Sequence, residues 1–229
     1  MLPRLEIEHP KSLSAIVEER LRNAIINAEL AFGQALPEDG TGLALGVSRT
    51  PMREALTRLE AQGLVVIVPK KGTFVFKPSP EDVRQLASFR LMLETNAIEQ
   101  CLVNDPDKTL RDMRAAVSAM AAAREAKAGA DYARADTTFH DCFFANCGNV
   151  YLSNAFKSVS GRIAALRAHL SVQRFNEQVT SFAEHKAIMA AFKKGEKDEL
   201  RRILTDHILR AQAVYALAFE EMVRDGEKT

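Results

Sequence analysis

The 229-residue chain has no tryptophan, only three cysteines and a net charge of just +1. Cys101, Cys142 and Cys147 are odd in number and show no CxxC spacing. That argues against a disulfide framework and fits a reducing cytoplasm. No apolar run is long enough to span a membrane, and the opening MLPRLEIEHPKS lacks the apolar core of a signal peptide. A cytoplasmic protein with no membrane association is the expectation. With 31 basic and 30 acidic residues, bulk charge does not announce a nucleic-acid binder, so any such function must rest on local placement. Strand signals are missing beyond residue 77, as are internal repeats and low-complexity segments.

What the chain does have is periodicity. Leu13, Ile16, Val17, Leu21, Ala24, Ile25 and Ala28 recur at helical spacing over 12–29. The breaker-rich FGQALPEDGTG leads to a short helix over about 37–45, weakened by Gly40 and Gly42. In GVSRTPMREALTRLEAQGL (46–64), Met52, Ala55, Leu56 and Leu59 form a buried stripe. Ser48 or Thr50 can cap this helix, Pro51 suits its first turn and Gly63 ends it. LVVIV and TFVFK then read as strands flanking a PKKG hairpin tip. Three helices and a hairpin describe a winged helix-turn-helix over 11–77. KPSP supplies a linker at 78–80, with Ser79 and Pro80 as cap and first helical position. Helical patterns fill 81–223, broken at DPD, AGAD, GN, RFNE and KGEKD, with Asn149 and Asn176 as expected caps. The fold class is mainly α: a winged helix-turn-helix followed by an all-α bundle.

Arg49 and Arg53 crowd a helix N-terminus, the end where the dipole disfavours cations. Either a carboxylate inside the fold pairs with them, Glu38, Glu54 or Glu60, or they are aimed at an anion outside. With the Ser48 and Thr50 hydroxyls and the free backbone N–H groups, they form equipment for phosphates and guanine edges in a major groove. Lys70, Lys71 and Gly72 add a basic wing tip. Together these features favour double-stranded DNA as the partner.

The helical domain places Asp136 and His140 one turn apart, with His185 and His207 on other helices. These are either separate core or surface histidines, or three imidazoles and a carboxylate converging on one cation. His140 and Asp141 also form the HD dipeptide of helical metal-dependent phosphohydrolases. Against that alternative, adjacent helical residues diverge by about 100°.

The run LGVSRTPMREALTRLEAQGLVVIVPKKGTFV resembles the DNA-binding domain of the GntR family of bacterial transcription regulators, the SRTPxREAL core matching from Ser48 to Leu56. DTTFHDCFFANCGNVYL and EHKAIMAAFKKGEKDELRRILTDHI resemble the FCD effector domain of the family's FadR-type subgroup. The resemblance implies DNA contacts by Arg49, Thr50 and Arg53, helped by Ser48 and by the wing at Lys70, Lys71, Gly72 and Thr73. Three positions depart from the family pattern. Phe32-Gly33 replaces Pro-Gly, Thr41-Gly42 replaces a leucine-alanine pair, and Asp39 stands where some members carry a basic DNA contact.

For 81–223 the resemblance implies a six- or seven-helix bundle holding a divalent metal (Zn, Ni or Mn) on Asp136, His140, His185 and His207. It also implies a small carboxylate effector. Arg90 and Arg162 either pair with that carboxylate or form structural bridges to Glu94 or Glu99. The expected protein is a regulator, in the manner of a repressor, binding a palindromic operator as a homodimer. A single small head makes too few contacts for genomic specificity. A phosphohydrolase, or a DNA-binding dimer without a ligand, are the alternatives.

Overall fold

A computed structural model of the chain describes residues 11–171 and 175–226. It divides between Lys77 and Pro78 into two units. In the first, α1 (Leu13–Ile26), α2 (Glu38–Leu45) and α3 (Arg49–Ala61) precede an antiparallel hairpin of β1 (Val65–Val68) and β2 (Gly72–Val75). The register pairs Val65 with Val75 and Val68 with Gly72. Ile25, Met52, Leu56, Leu59 and Leu64 are almost wholly buried. This apolar stripe of α3 turns Arg49, Thr50 and Arg53 to solvent.

The unusual glycine in α2 has a steric reason. Gly42 is buried, and a Cβ there would lie 3.1 Å from the Val47 carbonyl oxygen, tighter than most real contacts. The Val47 N–H donates to the Gly42 carbonyl at 2.9 Å, which closes the turn into α3.

The second unit contains α4 (Pro80–Asn104), α5 (Pro106–Glu125), α6 (Gly129–Asn146), α7 (Val150–Ser171), α8 (Phe175–Lys194) and α9 (Lys197–Gly226). No helix among the described residues is long and apolar enough to cross a membrane. Ser79 opens α4 with a capping box: its Oγ accepts from Asp82 N at 3.1 Å, while Asp82 Oδ2 accepts from Ser79 N at 2.8 Å. Asn149 caps α7, its Oδ1 accepting from Tyr151 N and Leu152 N. Asn176 instead lies one residue inside α8, and its side chain is outside the described residues. Gly148 has φ of 72°, and a Cβ there would meet the Asn104 amide at 2.8 Å. The GN pair is thus both the turn and the place where α4 comes close. α6 packs against α4, α5 and α7, and α9 against α4, α7 and α8. Phe139 and Phe143 are fully buried on α6, which turns the neighbouring Asp136 and His140 inward.

Candidate metal centre and nucleic-acid interface

His140, His185 and His207 come from α6, α8 and α9 and are 1%, 0% and 3% exposed. His140 Nε2 lies 3.2 Å from His185 Nε2 and 3.3 Å from His207 Nε2. Imidazoles sharing one ion at about 2.0–2.1 Å would stand about 3.0–3.4 Å apart, so these residues fit a metal. Asp136 approaches to 3.6 Å from both His140 Nε2 and His185 Nε2. The outer ring nitrogens each lie near a polar side chain. His140 Nδ1 is 2.8 Å from Glu94 Oε2, His207 Nδ1 is 2.7 Å from Glu184 Oε2, and His185 Nδ1 is 3.4 Å from Ser181 Oγ. The short contact to Glu184 orients the His207 ring with its Nε2 toward the other two histidines.

Burial, then the Arg90 charge, holds the His140 pKa well below the ordinary imidazole value. Burial pushes His185 down to about 3. Both rings are neutral at pH 7, as ligation requires. Burial would raise the Asp136 pKa, but Arg167 and the adjacent imidazoles outweigh it and hold the carboxyl well below its usual range.

A pH dependence follows. His185 binds its proton near 6.5 when unfolded but only near 3 when folded. Between these values the unfolded state carries more protons, so stability falls as pH falls, by up to about 1.4 kcal/mol per unit. Urea midpoints in chelator should therefore drop from pH about 7 to about 5. The drop should shrink in His185→Gln.

Arg90 donates Nε–H to Glu94 at 2.5 Å and sits 2.9 Å from His140 Nε2 through Nη2. The bridge to Glu94 is therefore realised, and Arg90 also lines a small cavity with Asp136 and His207. Arg162 does not line this cavity; Arg167 does. The two stand five residues apart on α7, so they point about 140° away from each other. Arg167 pairs with Asp136 through Nε and donates from Nη1 to Thr137 at 2.6 Å. At the rim, Arg210 donates to both Glu184 oxygens at 2.6 Å and to Glu177 at 2.8 Å. Arg167, Glu184 and Arg210 escaped the sequence reading because charged residues on helices read as solvated faces. Asp141 is exposed and lines an outer groove with Phe144 and Lys157. The HD pair therefore does not converge, as helical geometry predicts.

In the first unit, Arg49, Thr50 and Arg53 line an open groove along α3 with Glu54, Thr57 and Arg58. Ser48 occupies the N-cap position without a side-chain cap bond. The carboxylate partners of the arginines lie on α2. Arg49 is held by Asp39, and Arg53 reaches Glu38 at 3.2 Å. Glu60 accepts instead from Ile67 N at 3.1 Å, bracing the wing. Lys70, Lys71 and Gly72 are exposed at the hairpin tip. Thr73 is not: strand alternation turns it inward to 5% exposure, and its carbonyl accepts from Leu36 N. Its side chain is thereby removed from the expected contact set.

Comparison with known proteins bears on both units. The model for "Bacterial regulatory proteins, gntR family" matches residues 13–75, and the FCD domain model matches 85–210. An uncharacterized HTH-type transcriptional regulator of Agrobacterium vitis is 35% identical over 128 residues, 55% of this chain and 75% of its own. The HTH-type transcriptional repressor NanR of Cronobacter sakazakii is 27% identical over 219 residues, 86% of this chain and 83% of its own. A solved GntR transcriptional regulator from Rhodococcus sp. RHA1 shares the fold with a TM-score of 0.78 at 23% identity, covering 88% of this chain and 96% of that one. The chain therefore belongs to the GntR family of DNA-binding transcriptional regulators, with an FCD domain following its winged helix-turn-helix.

Proposed function

We propose that this regulator reads its operator with Ser48, Arg49, Thr50 and Arg53 on α3 and with Lys70, Lys71 and Gly72 on the wing. Its affinity is set by a small carboxylate bound beside a divalent metal in the helical domain. The observation that carries the second half is the convergence of three buried Nε2 atoms from three helices, with Asp136 beside them. Asp136, His140, His185 and His207 would hold the ion, and a set rich in imidazole suits Zn, Ni or Mn. Bound there, the metal would supply a Lewis-acidic anchor for an anion.

Charge accounting supports an anionic effector. The buried Arg90 and Arg167 balance the buried Glu94 and Asp136. A divalent cation added to this set leaves an excess positive charge in a low-dielectric interior, which a carboxylate offsets. The cavity is lined by Arg90, Arg167 and Arg210 with Asp136 and His207, so an acid entering it would meet three guanidiniums. An acid that binds one of two states of the domain more tightly would shift the balance between them, on which regulation depends. A small reading head also favours a homodimer on a palindromic operator, since two half-sites supply the contacts one head lacks. Relatives named repressors support repression as the mode of action.

The test is metal analysis of the purified protein beside a thermal-shift screen of small carboxylic acids, with and without chelator. His185→Ala is expected to reduce bound metal from stoichiometric to trace and to abolish the acid-induced shift. Full metal occupancy in His185→Ala rejects that ligand. A native protein that holds metal but is shifted by no acid favours a DNA-binding dimer without a ligand.

A further inference from the structure

Arg49 is gripped along one side. Asp39 Oδ1 accepts from Nε at 2.5 Å, and Oδ2 accepts from Nη2 at 2.7 Å. This two-point geometry occupies the Nε edge of the guanidinium. The terminal edge, carrying the Nη1 hydrogens and the second Nη2 hydrogen, faces away from Asp39. That edge can donate to guanine O6 and N7 together. Asp39 itself is firmly based. It lies in the first turn of α2, where the helix dipole favours a carboxylate, and the Val47-to-Gly42 backbone bond ties α2 to the start of α3.

Folding stability does not account for the pair. The two side chains are 75% and 65% exposed, and exposed ion pairs contribute little. Arg53 offers a contrast on the same surface, with a single 3.2 Å contact to Glu38.

We propose that Asp39 is a positioning residue for base readout, holding Arg49 by its Nε edge and presenting its terminal edge to one guanine of the operator. This inference rests on α3 being the reading helix. A guanidinium beside a carboxylate has little net charge to exchange for a phosphate counterion, yet it keeps its N–H donors. Arg49 is thereby turned from a phosphate contact, which carries no sequence information, into a base contact.

The experiment selects binding sites from a random-sequence duplex DNA library, using the full chain and its Arg49→Ala, Asp39→Asn and Glu38→Gln variants. The unmodified chain is expected to enrich a motif containing a guanine whose preference disappears in Arg49→Ala. Asp39→Asn is expected to lose preference at that same position, by about tenfold or more, while the rest of the motif survives. Its salt dependence should steepen by about one ion per head. Glu38→Gln removes the same charge from the same helical turn and should keep the guanine preference. An unchanged guanine preference in Asp39→Asn overturns the inference. So does an equal loss in Glu38→Gln, which would mean that charge rather than grip matters. An unchanged motif in Arg49→Ala instead overturns the reading-helix assignment. Melting temperatures of all variants establish that each is folded.

Discussion

Replacing Asp136 with alanine is expected to cost about 3–5 kcal/mol of folding stability, because it strands a buried cation. Arg167 is 3% exposed and pairs with Asp136 through Nε. With the carboxylate gone, a guanidinium remains in a low-dielectric interior with its main counter-charge removed. Domains of this size are stable by only about 5–15 kcal/mol, so the loss is a large fraction of the total. Urea unfolding in chelator would measure it free of any metal contribution. Double replacement of Asp136 by alanine and Arg167 by methionine should recover much of the loss, since removing both partners of a buried pair is often near neutral. An unchanged midpoint in Asp136→Ala would mean that water reaches Arg167 and solvates it. The same substitution should also weaken metal binding, since Asp136 is the carboxylate that faces the converging nitrogens, 3.6 Å from His140 Nε2 and from His185 Nε2.

Arg49→Ala and Arg53→Ala are each expected to weaken operator binding by about 10- to 100-fold per head, the range of a lost bidentate base contact. In a dimer the two heads multiply the effect. Melting temperature should hardly move, because the ion pairs lost, to Asp39 and Glu38, are exposed on the arginine side and such pairs contribute little to folding. A footprint on the DNA beside the protein's own coding region, with a thermal melt of each variant, separates the two effects. Unchanged footprints in both variants would sink the reading-head assignment. A large fall in melting temperature would make the arginines structural instead.

Local chemistry carried much of the architecture. The apolar stripe Met52, Ala55, Leu56 and Leu59 has a period that only one helix face can satisfy, and all four are buried. Ser79-Pro80 and DPD marked helix starts that the structure caps with Ser79 and Asp105. These are short-range effects, settled within a turn or two of chain. Which face each charged residue serves was less legible. Thr73 sits in the wing motif, but alternation along β2 buries it. Arg162 and Arg167 share a helix, and only packing decides which of them enters the cavity.

The sequence by itself determined that there are two domains of different kind, that cations crowd the start of α3, and that the helical domain carries histidines on separate helices. Tertiary structure alone decided that three Nε2 atoms meet while their Nδ1 atoms face Glu94, Ser181 and Glu184. It alone paired Asp39 with Arg49 and Asp136 with Arg167. The physical reason is range. Helix periodicity and capping act over a few residues, whereas a metal centre or a buried ion pair is a meeting of side chains from different helices. Its existence depends on how those helices are packed, which no local spacing encodes.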